Sequence, residues 1–372
     1  MAGTAPHREL IQPVRFAIAD ETQDADIRRL LRENPMRGAV SVTFEREPDY
    51  FRSAGLAGGE DQTIVAYEDG RLVCMGRCTR RDCWVNGQVT HTGYLAELRL
   101  HNDARRRFAI VRDGYRFFAE RQKDDLLFTS IAADNERARR LLESGARGLP
   151  AYDFLGGLTT LLAAVPRRPR PTKLRVAQAN TEDMPALVSL LNQHGQCHQL
   201  ATVWTEENLH ALVGRGLPLD RFLIAVDGGV MVACGALWDQ RSFRQTVIHD
   251  YAGALGVARP LLNVGRRLLG RPRLPAPGTA LRQAFLSPLA FGEGTEALLP
   301  DFLEAFFPTA VTLGIEWITL VLPAGDARLT PLRRRFFTRT WSSRLYHVRR
   351  PDQPAFESAP LPPRFLPEVS LL

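Results

Sequence analysis

GYLAELRLHNDARRRFAIVRDGYRFF, residues 93–118, is the stretch on which the reading of this chain turns. Alternating apolar residues give a strand ending near Leu100, and a basic turn follows. FAIVRDGYRFFAERQ (108–122) then has helical spacing, with Phe108, Val111, Tyr115 and Phe118 on one core-facing side. Free backbone N–H groups at the helix start, the positive end of its dipole, and Arg105, Arg106 and Arg107 would converge on one point. Such a point suits a pyrophosphate. A solvated basic turn that merely begins a helix is the plainer reading of the same residues.

Upstream, the sequence reads as strands at 39–46, 63–69, 71–85 and 91–100 and a helix at 49–56. Asp69-Gly70 and Asn86-Gly87 are hairpin turns. Downstream come a strand at 126–132 and a helix at 136–145. The strand, acidic turn and amphipathic helix that open the chain near residue 14 return at 174–193, where Asn180 or Thr181 is the natural cap. Between them PRRPRPTK (166–173) reads as an extended tether. The expected division is a first domain at 1–165, a linker at 166–173, a second domain at 174–350 and a proline-rich tail at 351–372, lying along the surface. Alternating strands and helices without GxGxxG argue against a dinucleotide-binding Rossmann domain.

The chain has 372 residues, 45% hydrophobic and 24% charged, enough for two domains with proper cores. This excludes a mainly disordered chain, a collagen-like repeat and a minimal disulfide scaffold. No stretch approaches the roughly 18–20 apolar residues of a membrane span, and MAGTAPHRELIQPV lacks the apolar core of a secretory signal. Five cysteines without an even framework fit a reducing compartment, so a cytoplasmic location is expected. The net charge is +7, and Lys123 and Lys173 are the only lysines. Its arginines are spread along the chain, often beside acids, and no nucleic-acid motif accompanies them. The surplus is therefore read as attraction for a small anionic ligand, with no nucleic-acid partner expected.

LRLHNDARRRFAI stands in register with the pattern LRVxPxxRGRGIG, and Asn135, Ala138 and Leu141 form an N-x-x-A-x-x-L signature. On these residues the first part resembles the GNAT superfamily of acyl-CoA-dependent N-acyltransferases. The second part looks like a diverged second copy, an arrangement known in that family. The resemblance implies two GNAT-like α/β domains, each a mixed, mostly antiparallel sheet flanked by helices. It implies acetyl-CoA or another acyl-CoA as co-substrate, no metal, and transfer to an amine on a small molecule or protein. Transfer would be direct attack within a ternary complex, with the acceptor between the domains. The backbone of Leu98, Arg99 and Leu100 would bind the pantetheine arm. Backbone N–H groups of Arg105, Arg106, Arg107, Phe108, Ala109 and Ile110 would cradle the pyrophosphate, and Asn135 would contact the cofactor arm. The strand carrying Leu98 and the strand at 126–132 would splay apart, with the thioester in the gap.

Two departures qualify this. Phe108 and Ile110 occupy the family's glycine positions, and Leu142 stands where a general-acid tyrosine is frequent. The alternative function is a non-catalytic GNAT-like module that senses acyl-CoA or binds a protein partner. For proton transfer, Glu97 is the candidate base, because an amine of pKa ~10 must lose a proton before attack. Tyr94 and Tyr152 are candidate donors to the departing thiolate, and His91 and His101 could also move protons. Each has a structural alternative: a strand acid paired with arginine, a core aromatic with its hydroxyl satisfied, a surface histidine.

Other constellations are weak. Cys74, Cys78 and Cys83, like Cys197-His198, lack metal-ligand spacing and read as ordinary thiols. Gly292, Gly294 and Thr295 before a helix sit among acids, so Thr295 is expected to cap rather than receive phosphate. The apolar-basic segment 261–278 could touch a membrane surface or acidic partner; a solvated helix covering the sheet is the simpler expectation.

Overall fold

The computed structural model describes residues 13–104, 107–122, 126–350, 353–357 and 364–372. The first half runs β1 (Arg15–Ile18), α1 (Asp24–Glu33), β2 (Val40–Glu45), β3 (Glu60–Glu68), β4 (Arg71–Val85), β5 (Gln88–Leu100), α2 (Arg107–Ala119), β6 (Leu126–Ala132), α3 (Glu136–Leu142) and β7 (Ala151–Ala164). The second half runs β8 (Val176–Gln178), α4 (Met184–Gln196), β9 (Ala201–Thr202), α5 (Glu206–Ala211), β10 (Phe222–Asp227), β11 (Val230–Trp238) and β12 (Gln245–Tyr251). It continues with α6 (Ala254–Leu268), β13 (Gln283–Phe291), α7 (Leu299–Ala305), α8 (Phe307–Thr312), β14 (Trp317–Pro323), α9 (Leu329–Arg335) and β15 (Thr338–Arg349).

Local chemistry accounts for the openings of both halves. Asp20 and Gln23 form a reciprocal capping box ahead of α1, and Asn180 and Asp183 form its counterpart ahead of α4. Ile27, Leu30 and Leu31 share one face of α1 and are buried. At Asp69-Gly70 and Asn86-Gly87 both residues of each pair take positive φ, as a two-residue hairpin turn requires. The helix expected at 49–56 is instead two short 3-10 turns, Tyr50–Ser53 and Leu56–Gly58. Gly55 and Ala57 adopt left-handed φ there, which a continuing α-helix cannot accommodate. On α2 the buried face is Ile110, Val111 and Phe118, rotated from the expected one, and Phe108 points to solvent.

All strands except β2 and β12 join one 13-stranded mixed sheet, ordered β1-β3-β4-β5-β6-β15-β7-β14-β13-β11-β10-β8, with β9 on β4. Read inward from either edge, the two arrays repeat: β1-β3-β4-β5-β6 faces β8-β10-β11-β13-β14. The parallel pairs, β5–β6 and β13–β14, occupy equivalent places. The two innermost strands are exchanged. β15, from the end of the second half, lies between β6 and β7, while β7, from the first half, pairs with β14. Helices flank the sheet, and the largest apolar cluster packs α7, α8 and α9 on β7, β13 and β14 around Leu161, Phe302, Phe306 and Ile318.

The proline-rich tail does not lie along the surface as expected. Phe365 and Leu371 are buried, and Ser370 is fully enclosed. The prolines prevent a helix or central strand, but the apolar residues among them still seek cover.

The exchange predicts that residues 1–165 expressed alone would lack the strand between β6 and β7 and fail to give a dispersed amide NMR spectrum. Adding residues 166–372 should restore a single 1:1 species on gel filtration; a well-folded isolated fragment would contradict this.

Candidate functional site

The β5–β6 ladder runs from Thr92↔Leu126 to Leu95↔Thr129 and stops there, closed by the Thr129 hydroxyl donating to Leu95 O at 2.6 Å. Beyond it β6 continues beside β15, while β5 swings away through a bulge. Gly76 of β4 faces both Glu97 and Leu98, with Glu97 at φ 54. The resulting wedge opens into a cavity of about 770 Å³.

The cavity is built from both halves. Its floor is the middle of the sheet, with Leu158, Thr160 and Leu162 of β7, Trp317, Thr319 and Val321 of β14, and Trp341 of β15. Its roof is a separate ribbon in which β2 pairs antiparallel with β12, from Gln245↔Glu45 to Tyr251↔Val40. Val40, Val42 and Phe44 alternate along the ribbon and line the cavity with Thr246, Ile248 and Tyr251.

At the wedge the cavity becomes strongly basic, because Arg46, Arg77, Arg81, Arg99 and Arg244 all reach it. Arg46 and Glu97 form an ion pair whose side chains are only 5% and 9% exposed. Tyr50 donates to the other Glu97 oxygen at 3.0 Å. Burial pushes the Glu97 carboxyl up, but Arg46, Arg77, Arg99 and the Tyr50 hydrogen bond outweigh it and bring its pKa to about 2. Arg77 is held by Asp61 at 2.7 Å, and Arg81 donates to Leu371 O at 3.1 Å. Arg244 donates to Ser370 O at 3.2 Å and to Leu372 O. Burial and the neighbouring Arg46 lower Arg244 to about 9, despite Glu97. The tail thus enters the cavity and covers two arginines. Nε of Arg46 and Nε of Arg81 are buried with no hydrogen-bond partner.

Of the residues singled out from sequence, Tyr94, Glu97, Leu98, Arg99, Ile110, Asn135 and Tyr152 line this cavity. Tyr94 hydrogen-bonds the Ser130 hydroxyl at 2.7 Å, across the fork where the strands part. Burial raises its pKa against that hydrogen bond, so it stays a neutral phenol. The Tyr152 and Tyr115 hydroxyls touch, and burial followed by that neighbour holds Tyr152 well above the ordinary phenol value. Asn135 caps α3, accepting from Ala138 N at 3.2 Å. Leu100 pairs with Cys74 on the far side of the bulge. Arg107 folds back onto the carbonyls of His101 and Asn102. Phe108 is exposed, Ala109 is half-buried, and Ile110 packs against Ala66, Val73 and Cys74 beneath the helix. Arg105 and Arg106 lie outside the described residues. His91 is exposed beside Asp82, whereas His101 is buried and meets Arg71 at 2.7 Å.

The second half carries an equivalent wedge with a different content. The β13–β14 ladder ends at Phe285↔Thr319, and β13 then bulges at Ser287 and Pro288. Leu366, Pro367, Glu368 and Val369 of the tail enter beside Leu286, Leu289, Leu320 and Val321 and leave a cavity of only about 50 Å³. The Ser287 hydroxyl donates to the Glu368 carboxyl and shares a hydrogen bond with the Ser370 hydroxyl. Burial lifts the Glu368 carboxyl to about 7, partly offset by Ser287 and Arg81. The Thr295 hydroxyl donates to Val232 O and Gly292 O, each at 2.8 Å, so it braces the turn and makes no side-chain cap. Cys74, Cys78 and Cys83 are all buried, and burial pushes Cys74 to about 12.

Sequence reasoning missed Arg46, Arg77, Arg81, Arg244 and Tyr50, which come from three separate segments: 46–50, β4 and the approach to β12. Arg77 and Arg81 stand an even number apart on one strand, the only local sign that they share a face.

No family model matches this sequence, nor does any curated protein. Solved structures resemble it over most of its length. Saccharomyces cerevisiae N-myristoyltransferase with bound myristoyl-CoA has a TM-score of 0.60 at 11% identity, covering 91% of this chain and 84% of that one. A GCN5-related N-acetyltransferase from Sphaerobacter thermophilus has a TM-score of 0.55 at 12% identity, covering 95% of this chain and 99% of that one. The fold is therefore of the GNAT type found in these N-acyltransferases.

Two predictions follow from the buried charges. Glu97→Ala should destabilise the protein by about 3–5 kcal/mol at pH 7 in denaturant melts, because it strands Arg46 in the interior. Glu97's contribution is full above its ordinary value of 4.5 and is lost as pH falls through about 2. Glu368 has the opposite sign: its folded-state pKa is raised, so it withdraws stability as pH rises from 4.5 to about 7. Glu368→Gln should therefore gain melting temperature relative to the parent at pH 8 but not at pH 5; an equal difference at both would refute the neutral carboxyl.

Proposed function

We propose that this protein is an acyl-CoA-dependent N-acyltransferase whose reaction centre is the wedge between β5 and β6. The observation that carries this reading is the fork itself. A parallel pair parts at a bulge, leaving the β6-facing edge of β5 without a ladder partner beyond Leu95, beside a cavity of about 770 Å³. Leu98 and Arg99 would bind the pantetheine arm through that edge, and Asn135 would meet it from α3. The pyrophosphate would lie at the start of α2, on the backbone N–H groups that open the helix. Acetyl-CoA is the first donor to test, and the apolar roof and floor leave room for longer chains.

The acceptor amine would enter beneath the ribbon and attack the thioester carbon, breaking its C–S bond. One proton must pass from the amine to the thiolate. The ammonium's first proton leaves to water before attack; Tyr94, neutral and hydrogen-bonded to Ser130 at the fork, then gives its own proton to the thiolate and is reprotonated through Ser130 by the one the attacking nitrogen releases. Glu97 is ion-paired and a weak base at about 2, so we assign it to holding the bulge and Arg46 in place. Tyr152 shares its hydroxyl with Tyr115 and is the secondary donor candidate.

We read the second half as a diverged copy of the first, with the division at 166–173. The repeated strand order supports this. Its wedge, narrowed by residues 366–369, would bind no second cofactor. Calorimetry with acetyl-CoA, desulfo-CoA and longer acyl-CoAs should give one site per chain, and thiol release should appear with a panel of amines. Tyr94→Phe should lower kcat by on the order of 10²–10⁴ with little change in acyl-CoA affinity. No binding and no thermal stabilisation by any acyl-CoA would overturn the assignment; unchanged kcat would remove Tyr94 from the chemistry.

A further inference from the structure

α6 inverts the usual pattern of a helix on a globular protein. None of its residues is buried. Val257, Leu261, Val264 and Leu268 recur at i, i+4, i+7 and i+11, and they are 87%, 76%, 59% and 83% exposed. Leu269, at 65%, widens the same apolar face. The polar side is the one turned to the protein. Asn263 exchanges hydrogen bonds with Leu274 at 3.0 and 2.7 Å, and Arg266 donates to Pro272 O. The Arg266 and Arg271 guanidiniums stack on the Phe337 ring at 5.6 and 4.3 Å. The helix is thus fastened by hydrogen bonds and cation–π contacts, with its hydrophobic face turned outward.

Charge indicates what covers that face. From residue 251 to 292 the sequence has six arginines (259, 266, 267, 271, 273 and 282) and no aspartate or glutamate. A second copy docking about a twofold axis would bring the same arginines together from both sides. A helix of 15 residues also offers less surface than the ~800 Å² per partner of a stable protein interface. Apolar side chains flanked by arginine, on a helix too short to span a bilayer, fit the boundary between lipid headgroups and acyl chains.

We propose that α6 lays this protein on an anionic lipid surface, with the neighbouring end of the cavity turned toward the lipid. Tyr251, Arg266, Arg273, Leu274 and Pro275 line that end, directly beside the helix. On the acyltransferase reading, an acceptor carrying its amine on an apolar tail could pass from the surface into the cavity. The docking itself does not depend on that reading.

The test is co-sedimentation of the full chain with phosphatidylcholine vesicles, with and without phosphatidylglycerol. The parent should pellet with the phosphatidylglycerol vesicles alone, and less as salt rises. Leu261→Ser/Leu268→Ser and Arg259→Gln/Arg267→Gln should each weaken this on the order of tenfold while keeping the parent melting temperature. A parent that stays in the supernatant, or a serine variant that pellets equally, would overturn the proposal. So would a parent that is dimeric by light scattering without lipid and becomes monomeric on the serine substitutions, since a second copy would then own the face. Acyl-CoA calorimetry on the same preparations separates the two readings: cofactor binding without vesicle binding defeats only the docking, and the reverse defeats only the transferase.

Discussion

The hydrogen-bonded pairing of β7 with β15 is the constraint on which this molecule depends. It runs from Thr338↔Ala163 to Arg349↔Ala151, joining a strand from each half at the centre of the sheet. Each of these strands completes the array begun by the other half, so neither array has a free inner edge to expose. The same two strands supply the floor of the cavity through Leu158, Thr160, Leu162 and Trp341. Fold closure and site construction are therefore one event, and the cavity exists only once both halves are in place.

Within that frame the two wedges differ in content rather than in form. Both arise where a parallel pair ends at a bulge, at Glu97 and Leu98 in one half and at Ser287 and Pro288 in the other. In the first, five arginines gather around two paired carboxylates, Asp61 and Glu97, and the space remains open. In the second, the chain inserts its own Glu368 and closes the space. The tail therefore serves both halves, plugging one wedge and giving the arginines of the other wedge main-chain oxygens to bind.

Local signals were legible from sequence wherever a single segment carried them. The hairpin turns, the strands at 71–85 and 126–132, the cap at Asn180 and the helix after the basic turn are written in adjacent residues, and the structure contains them. What could not be read is what distant segments build together. The exchange of β7 and β15 leaves no local mark, since either strand is equally apolar beside its own half or the other. Arg46 and Arg244 meet at the wedge from strands some two hundred positions apart. The tail was misjudged because proline reports the absence of regular structure and says nothing of burial, which Phe365 and Leu371 decide. Phe108 was misplaced by a rotation of the helix that periodicity alone does not fix.

The ribbon over the cavity takes β2 from one half and β12 from the other, so the roof, like the floor, needs both halves. Its outer edges are bonded too: Thr246 and Ile248 exchange main-chain hydrogen bonds with Gly278, Thr279 and Leu281, and Val42 with Met36, so the ribbon cannot swing as a unit without losing them. Bonded on both edges and pinned at one corner through Arg46 to Glu97, the roof is held at a fixed height over the wedge, so the width of the space below is set when the chain folds.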